Sequence, residues 1–229
     1  MSGNHLLARL PRADLERLES QLQSVKFEPG QVLYEARAPI VYSYFPVRGT
    51  LSAVVVMSDG RMIEVATVGN EGMVGSPNLF QSPSSPNRVF VQVPGYGLRI
   101  ETKALEREAR QSSTLQRLLV LYHSAYLFQM SQSVACNGLH SLLERCCRWL
   151  LMTHDRAEED SFQLTHEFLA TMLGVRRSSV TEALQSLQEK GLISGTRGKI
   201  TIVNREGLEA GSCECYRAVT EEHNKLLNS

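Results

Sequence analysis

This sequence carries no excess of either charge: 24 Lys or Arg stand against 24 Asp or Glu. A uniformly basic coat is therefore excluded, and any contact with a polyanion must be local. No apolar run is long enough to span a bilayer. The longest apolar patch, about Leu118 to Met130, contains His123, Ser124 and Gln129 and has Arg117 at its edge. The chain does not open on a basic segment followed by a long apolar one, so neither a secretion signal nor a membrane partner is expected. The 5 cysteines are an odd number, and none precedes Cys136. That pattern points to reduced thiols and a cytoplasmic location.

Signatures of catalysis are also missing. No nucleophile–base arrangement is recognisable, and the glycine-rich stretch from Gly69 to Gly75 lacks the lysine of a phosphate-binding loop. An enzyme is not expected. Cys213-Glu-Cys215 places two thiols at i and i+2, which do not face each other on a helix. No second pair has zinc spacing, so neither a metal nor a cofactor is expected. Cys146-Cys147, beside Trp149, read as core. His123 reads as a packed, hydrogen-bonded histidine rather than a haem ligand or pH sensor.

What the sequence does contain is concentrated between residues 164 and 203. Thr165 is positioned to cap a short helix that buries Leu169, Ala170, Met172 and Leu173. Gly174 can end that helix at positive φ. A second helix follows, with Val180, Ala183, Leu184 and Leu187 at i, i+3, i+4 and i+7. Ala170, Gly174, Val180 and Ala183 hold the spacing of a helix-turn-helix. On the other face of the second helix, about residues 177–189, lie Arg177, Ser178, Thr181, Glu182 and Gln185, with Arg176 and Ser179 beside them. These are side chains that read base edges in a major groove. Leu192-Ile193 and Ile200 to Val203 predict two strands joined by a turn carrying Arg197 and Lys199, both available for phosphates. Residues 164–205 hold six Lys or Arg against three Glu, so the positive charge missing from the whole gathers here. The partner this predicts is double-stranded DNA.

The rest predicts an α+β chain. Residues 4–24 read as helical, broken at Pro11, with Asp14 as a cap and Leu15, Leu18 and Leu22 on one face. From Val25 to about Ile100, seven short strands alternate with turns at Pro29-Gly30, Pro46 to Gly49, Ser58-Asp-Gly60, Gly69 to Gly72 and Pro94-Gly95. This texture fits a small antiparallel β-roll. Gln81 to Asn87 reads as a low-complexity loop. After a helix over 102–110, a long helix from about Ser112 to Ala135 is apolar on more than one face. Leu115, Leu119, Tyr122, Tyr126 and Met130 make one stripe; Leu118, Leu121, Ala125 and Phe128 make another. One side can lie on the roll, and the other needs a partner, most simply a second copy of the same helix. The first stripe is assigned to that dimer helix. Asn137-Gly138 marks a break, and Ser141-Leu-Leu-Glu144 is a capping box opening a further helix with Cys146, Trp149 and Leu150 buried. Ala157 to Asp160 reads as an acidic loop. A C-terminal helix is expected over 207–227, with Tyr216, Val219 and Leu226 as packing contacts. The parts are 1–110 (sensor-like roll), 111–136 (dimerisation helix) and 137–229 (winged helix-turn-helix).

This order, with Phe27-Glu-Pro-Gly-Gln-Val-Leu-Tyr-Glu35, Glu144-Arg-Cys-Cys-Arg-Trp-Leu-Leu151 and Leu173 through Leu184, resembles the Crp/Fnr family of bacterial transcription regulators. The resemblance covers about Leu6 to Val203. It implies a homodimer on a near-palindromic operator, half-sites one helical turn apart, and an effector felt in the roll and passed through the hinge at 137–141. RNA polymerase is a further candidate partner, and the small-molecule effector stays unspecified. In cyclic-nucleotide-binding members a Gly-Glu pair holds the ribose and an Arg-Ser pair holds the phosphate. Here the pairs read Gly72-Met73 and Asn87-Arg88. The carboxylate is gone, and Arg88 stands one place late, where a strand turns its side chain to the opposite face. Cyclic AMP is therefore not expected to bind. The alternative is a sensor in which a cyclic nucleotide or other small molecule in the roll is obligatory for DNA binding. Family members with an iron–sulfur cluster use an N-terminal cysteine cluster, which this chain lacks. Arg177 matches the guanine-reading arginine of many members, but Ser178 and Glu182 depart from the usual residues, which implies a different target sequence.

Overall fold

The computed structural model describes residues 3–76, 84–157, 159–196 and 198–228, with side chains as far as 225. Arg197, Glu158 of the acidic loop, residues 81–83 of the low-complexity loop and the Leu226 side chain lie outside that description. A 3-10 turn (Leu7–Arg9) and α1 (Arg12–Glu19) precede five strands: β1 (Gln23–Phe27), β2 (Val32–Tyr34), β3 (Tyr42–Val56), β4 (Met62–Val68) and β5 (Arg88–Glu101). Next come α2 (Thr102–Gln111), α3 (Ser113–Leu139) and α4 (Leu142–His154). The C-terminal part holds β6 (Ser161–Gln163), α5 (His166–Leu173), α6 (Arg177–Glu189), β7 (Ile193–Thr196), β8 (Lys199–Ile202), α7 (Arg205–Gly211) and α8 (Cys215–Asn228).

The first sheet has the order β1-β5-β3-β4, with β2 also pairing β5, and every pairing in it is antiparallel. Two expected turns are not turns. Pro46 to Gly49 and Pro94-Gly95 fall inside β3 and β5, where the register slips between Pro46, Arg48 and Thr50. Gly49 has φ +89, and a Cβ on Gly95 would lie 2.3 Å from the Arg48 carbonyl oxygen. Proline and glycine thus bend two long paired strands instead of ending them, as bulges do where a sheet must close. The roll encloses Phe27, Leu51, Ala53, Val68, Val89 and Val91. A second apolar layer joins Leu7, Leu18, Phe45, Ile100 and Leu105 to the first half of α3.

Helix α3 departs from expectation twice. It continues through Asn137-Gly138 to Leu139, and the break comes at His140, just before the Ser141–Glu144 capping box, which forms in both directions. The stripe assigned to the dimer helix faces inward. Leu115, Leu119 and Tyr122 are buried in the chain's own core, and Tyr126 and Met130 pack on the roll. The free face is a third one. Val120, Leu127 and Val134 are 42%, 60% and 72% exposed, one heptad apart, with Phe128 and Leu139 exposed nearby. Periodicity alone could not choose among three apolar faces, because a roll of unknown curvature covers two of them.

Two smaller corrections concern the ends. Asp14 does not cap α1, whose N-cap position is Pro11; its carboxylate accepts from Ser112 Oγ at 2.6 Å instead. The helix expected over 207–227 is interrupted at residues 212–214, between α7 and α8. Val219 is buried and Tyr216 packs against the C-terminal core, as the sequence suggests.

Candidate nucleic-acid interface

The C-terminal core is built from Leu150 and Leu151 of α4, Leu169 of α5, Val180, Leu184 and Leu187 of α6, and the apolar faces of the small sheet. Thr165 caps α5 by accepting from the Phe168 amide at 3.1 Å. Gly174 ends α5 in the left-handed region, φ 66 and ψ 36, which an L side chain would resist. Arg145 of α4 donates to the Leu173 carbonyl and so holds the helix end in place. The turn then sends α6 across α5, with its apolar stripe inward.

The outer surface of α6 carries the predicted reading groups. Arg176, Arg177, Ser178, Thr181, Glu182 and Gln185 are exposed, and Ser179 is half-buried. Arg176 is the N-cap residue and Arg177 the first residue of the helix. Neither guanidinium has an ion-pair partner among the described residues. The Thr181 hydroxyl donates to the Arg177 carbonyl at 3.0 Å and lies 2.9 Å from Nδ1 of His166. Gln185 donates to Glu189 at 3.0 Å. His166, not singled out from the sequence, therefore shares this surface; its only sequence signal is its place at the first position of α5. Behind α6, the wing is a three-stranded sheet of order β6-β8-β7. The two strands β7 and β8 were legible, but β6 was not, being only Ser161–Gln163. Lys199 is exposed on β8, and Gly198 turns the hairpin at φ +75.

The roll presents the second candidate site. A cavity of about 300 Å³ is lined by Tyr34, Met73, Ser84, Asn87, Tyr122 and Tyr126, among others. Asn87 is buried there. Arg88 is elsewhere: its Nε and Nη2 reach the two Glu35 carboxylate oxygens, each at 2.7 Å. That bidentate contact, made by hydrogen bonding first, holds Glu35 below the usual carboxylate range. Gly72 packs so closely that a Cβ would lie 2.3 Å from the Tyr122 ring. Met73 is buried, and its carbonyl accepts from the Tyr122 hydroxyl at 2.7 Å. No Lys or Arg lines the cavity among the described residues, and the sequence from 77 to 83 contains none. His123 lies at its edge, half-buried, with Nδ1 3.2 Å from the Leu119 carbonyl oxygen; burial lowers its basicity.

A third group arises where no site was expected. Because Cys213 lies in the break before α8 and not on a helix, it and Cys215 converge, and Cys136 and His140 of α3 meet them. Cys146 and Cys147 are buried core, as read from the sequence.

Residues 144–210 match the family model of the Crp-like helix-turn-helix domain, and residues 24–112 that of the cyclic nucleotide-binding domain. No curated protein sequence matches the chain significantly. Among solved structures, FixK2 from Bradyrhizobium japonicum superimposes with a TM-score of 0.71 at 20% identity, covering 84% of this chain and 98% of FixK2. A protein from Eubacterium rectale, described as a transcriptional regulator of the Crp/Fnr family, gives 0.71 at 18% identity over 95% and 100% of the two chains. The c-di-GMP-responsive global regulator CLP of Xanthomonas campestris gives 0.64 at 17% identity over 84% and 99%. These are likenesses of fold, and among the described residues no helix is long and apolar enough to cross a membrane.

Proposed function

Because the chain belongs to the Crp/Fnr family of DNA-binding transcription regulators, we propose that it works as a homodimer which sets two copies of α6 into successive major grooves of a near-palindromic operator. The observation that carries this reading is the exposed face of α6. Arg177, Ser178, Glu182 and Gln185 stand clear of the core on the helix that a positive-φ glycine turns outward. Arg176 at its start and Lys199 on β8 are exposed cations for the phosphates. Pairing through α3 is supported by Val120, Leu127 and Val134. They form a heptad seam, with Ser124 and Ser131 exposed between them, small enough to admit a second helix. The hinge between the helix and the winged domain is then His140–Ser141. The three parts are the roll with α2, the helix α3, and the winged domain from Ser141 on.

Selection of bound fragments from random duplexes with the purified protein tests this. The expected product is a two-fold symmetric site with half-site centres about one helical turn apart and affinity that falls steeply with salt. An asymmetric single half-site, bound by a monomer, would overturn it.

The roll cavity favours control by a ligand other than a cyclic nucleotide. Its walls combine apolar side chains with the neutral polar groups of three tyrosines, Ser76, Ser84, Ser85 and Asn87, and the arginine that would meet a phosphate is held by Glu35. Burial keeps the Tyr34 and Tyr126 hydroxyls protonated, so these are neutral donors and acceptors. Calorimetry is expected to detect no heat of binding for cyclic AMP at physiological concentration. Micromolar binding would restore the nucleotide reading.

A further inference from the structure

Four metal-binding side chains from two distant parts of the chain converge at the lower end of α3. The Sγ atoms of Cys136, Cys213 and Cys215 and the imidazole of His140 all lie within 4.8 Å of one another. Cys136 Sγ is 3.5 Å from Cys213 Sγ, and Cys215 Sγ is 3.5 Å from His140 Nδ1. Zinc–sulfur bonds of about 2.3 Å place neighbouring ligand atoms of a tetrahedron about 3.7 Å apart. The spacing therefore matches a single small ion. A four-iron cluster needs its ligands spread farther, because each binds a different iron. The three cysteines are buried and cluster together, apart from the main cores.

The surroundings are those of a ligand set as well. His140 Nε2 lies 3.1 Å from a Glu214 carboxylate oxygen, which fixes the proton on Nε2 and leaves Nδ1 free to coordinate. Gln132 donates from Nε2 to Cys215 Sγ at 3.2 Å, a bond that strengthens when the sulfur is a thiolate. Arg148 lines the cleft that Cys136 also lines, a cation close to what would become an anionic centre. Sulfur and imidazole donors select zinc over calcium or magnesium, which require oxygen.

We propose that Cys136, His140, Cys213 and Cys215 bind one zinc ion, which fastens the end of α3 to the start of α8 across the hinge. Three thiols lose their protons to solvent and the imidazole binds as the neutral ring, so the filled site carries a net charge of −1. Its position gives it a mechanical role. His140 is the C-cap of α3, and Ser141, the next residue, is the N-cap of α4. The ion thereby ties the α3 flank of the hinge to the C-terminal helix. This site is independent of what α6 reads.

The full-length protein, purified after growth with zinc, is expected to hold one zinc per chain by elemental analysis and to keep it against a chromogenic chelator. Exchange for Co²⁺ is expected to give thiolate-to-metal charge-transfer absorption and the visible bands of a tetrahedral centre. Their intensities report three sulfur ligands. Cys213→Ser and Cys215→Ser should each release the ion to the chelator, whereas Cys146→Ser, outside the group, should retain it. The wild-type cobalt spectrum decides the matter even if a variant fails to fold. Wild-type protein that gives no such spectrum, or that isolates with a Cys136–Cys213 disulfide and no metal, would overturn the proposal. So would undiminished zinc retention by a folded Cys215→Ser variant.

Discussion

Arg177 stands at the first position of α6, exposed and without an ion-pair partner among the described residues. A planar guanidinium there can pair bidentately with guanine, so Arg177→Ala is expected to weaken specific binding by about 1–3 kcal/mol and relax preference at one base pair. Titration of the selected operator by the mutant checks this, and an unchanged footprint and affinity would remove Arg177 from the reading role. Arg88 makes the complementary point. Its identity suggested a phosphate ligand and its register suggested otherwise; the structure gives it to Glu35, and neither residue lines the cavity. A one-residue displacement along a strand was enough to convert a candidate ligand into a surface ion pair.

At the scale of the element, α3 decides most. It is apolar on three faces, and only packing shows which is left over. Leu127, at the centre of the exposed heptad seam, is the residue whose change to Glu should split a dimer. Sedimentation of Leu127→Glu is expected to give a monomer with an unchanged fold by circular dichroism. Leu119→Glu, in the buried layer between α3 and the N-terminal helices, should unfold the chain instead. A Leu127→Glu protein that still sediments as a dimer would place the seam elsewhere. The same helix shows the reach and the limit of local signals. Its N-cap bond, from the Leu115 amide to Ser112 Oγ at 3.1 Å, follows a local rule. Its far end overrides Asn137-Gly138, because Gln129, Ser133 and Cys136 on that segment are buried against the chain and keep it helical.

Across the whole molecule, the roll and the winged domain meet through apolar packing, with Val54 and Phe90 in the core of α4 to α6, and through polar groups. Arg156, just past the end of α4, pairs with Glu71 of the roll at 2.6 Å, with side chains only 7% and 13% exposed. Trp149 Nε1 donates to Glu64 Oε1 at 2.9 Å, and Gln92 donates to Thr153 Oγ1 at 3.0 Å. Ser52 Oγ faces two acceptors, Glu64 Oε2 at 2.7 Å and Gln92 Oε1 at 2.6 Å, but has one proton. A protonated Glu64 resolves the conflict by donating to Ser52, which then donates to Gln92. Burial pushes the Glu64 carboxyl up to about 7, against the pull of Ser52, Arg148 and Trp149. A raised folded-state value means the folded chain holds a proton the unfolded chain lacks between about 4.5 and 7. That contribution is fully present below the window, falls as pH rises through it, and is gone above. Denaturant titrations are expected to show this decline, and Glu64→Gln to flatten it. An identical slope in the mutant would assign the effect to another group. Glu71 behaves oppositely: burial would raise it, but Arg156 brings it to about 2, so its stabilisation is present above about 4.5 and is lost as pH falls from there to about 2.

Features that depend on neighbours along the chain are legible in the residues alone. The capping box at Ser141, the positive-φ glycine at 174, the inward stripe of α6 and the gathering of cations around it are set by caps, periods and spacings of a few residues. These have few alternatives once the residues are given. Packing alone shows which face of α3 stays free, that Glu35 is the partner of Arg88, and that Cys136 and His140 meet Cys213 and Cys215. Each of these is a distance between parts far apart in sequence. Such distances are fixed by how a bent sheet and a broken C-terminal helix pack, and no local pattern encodes them.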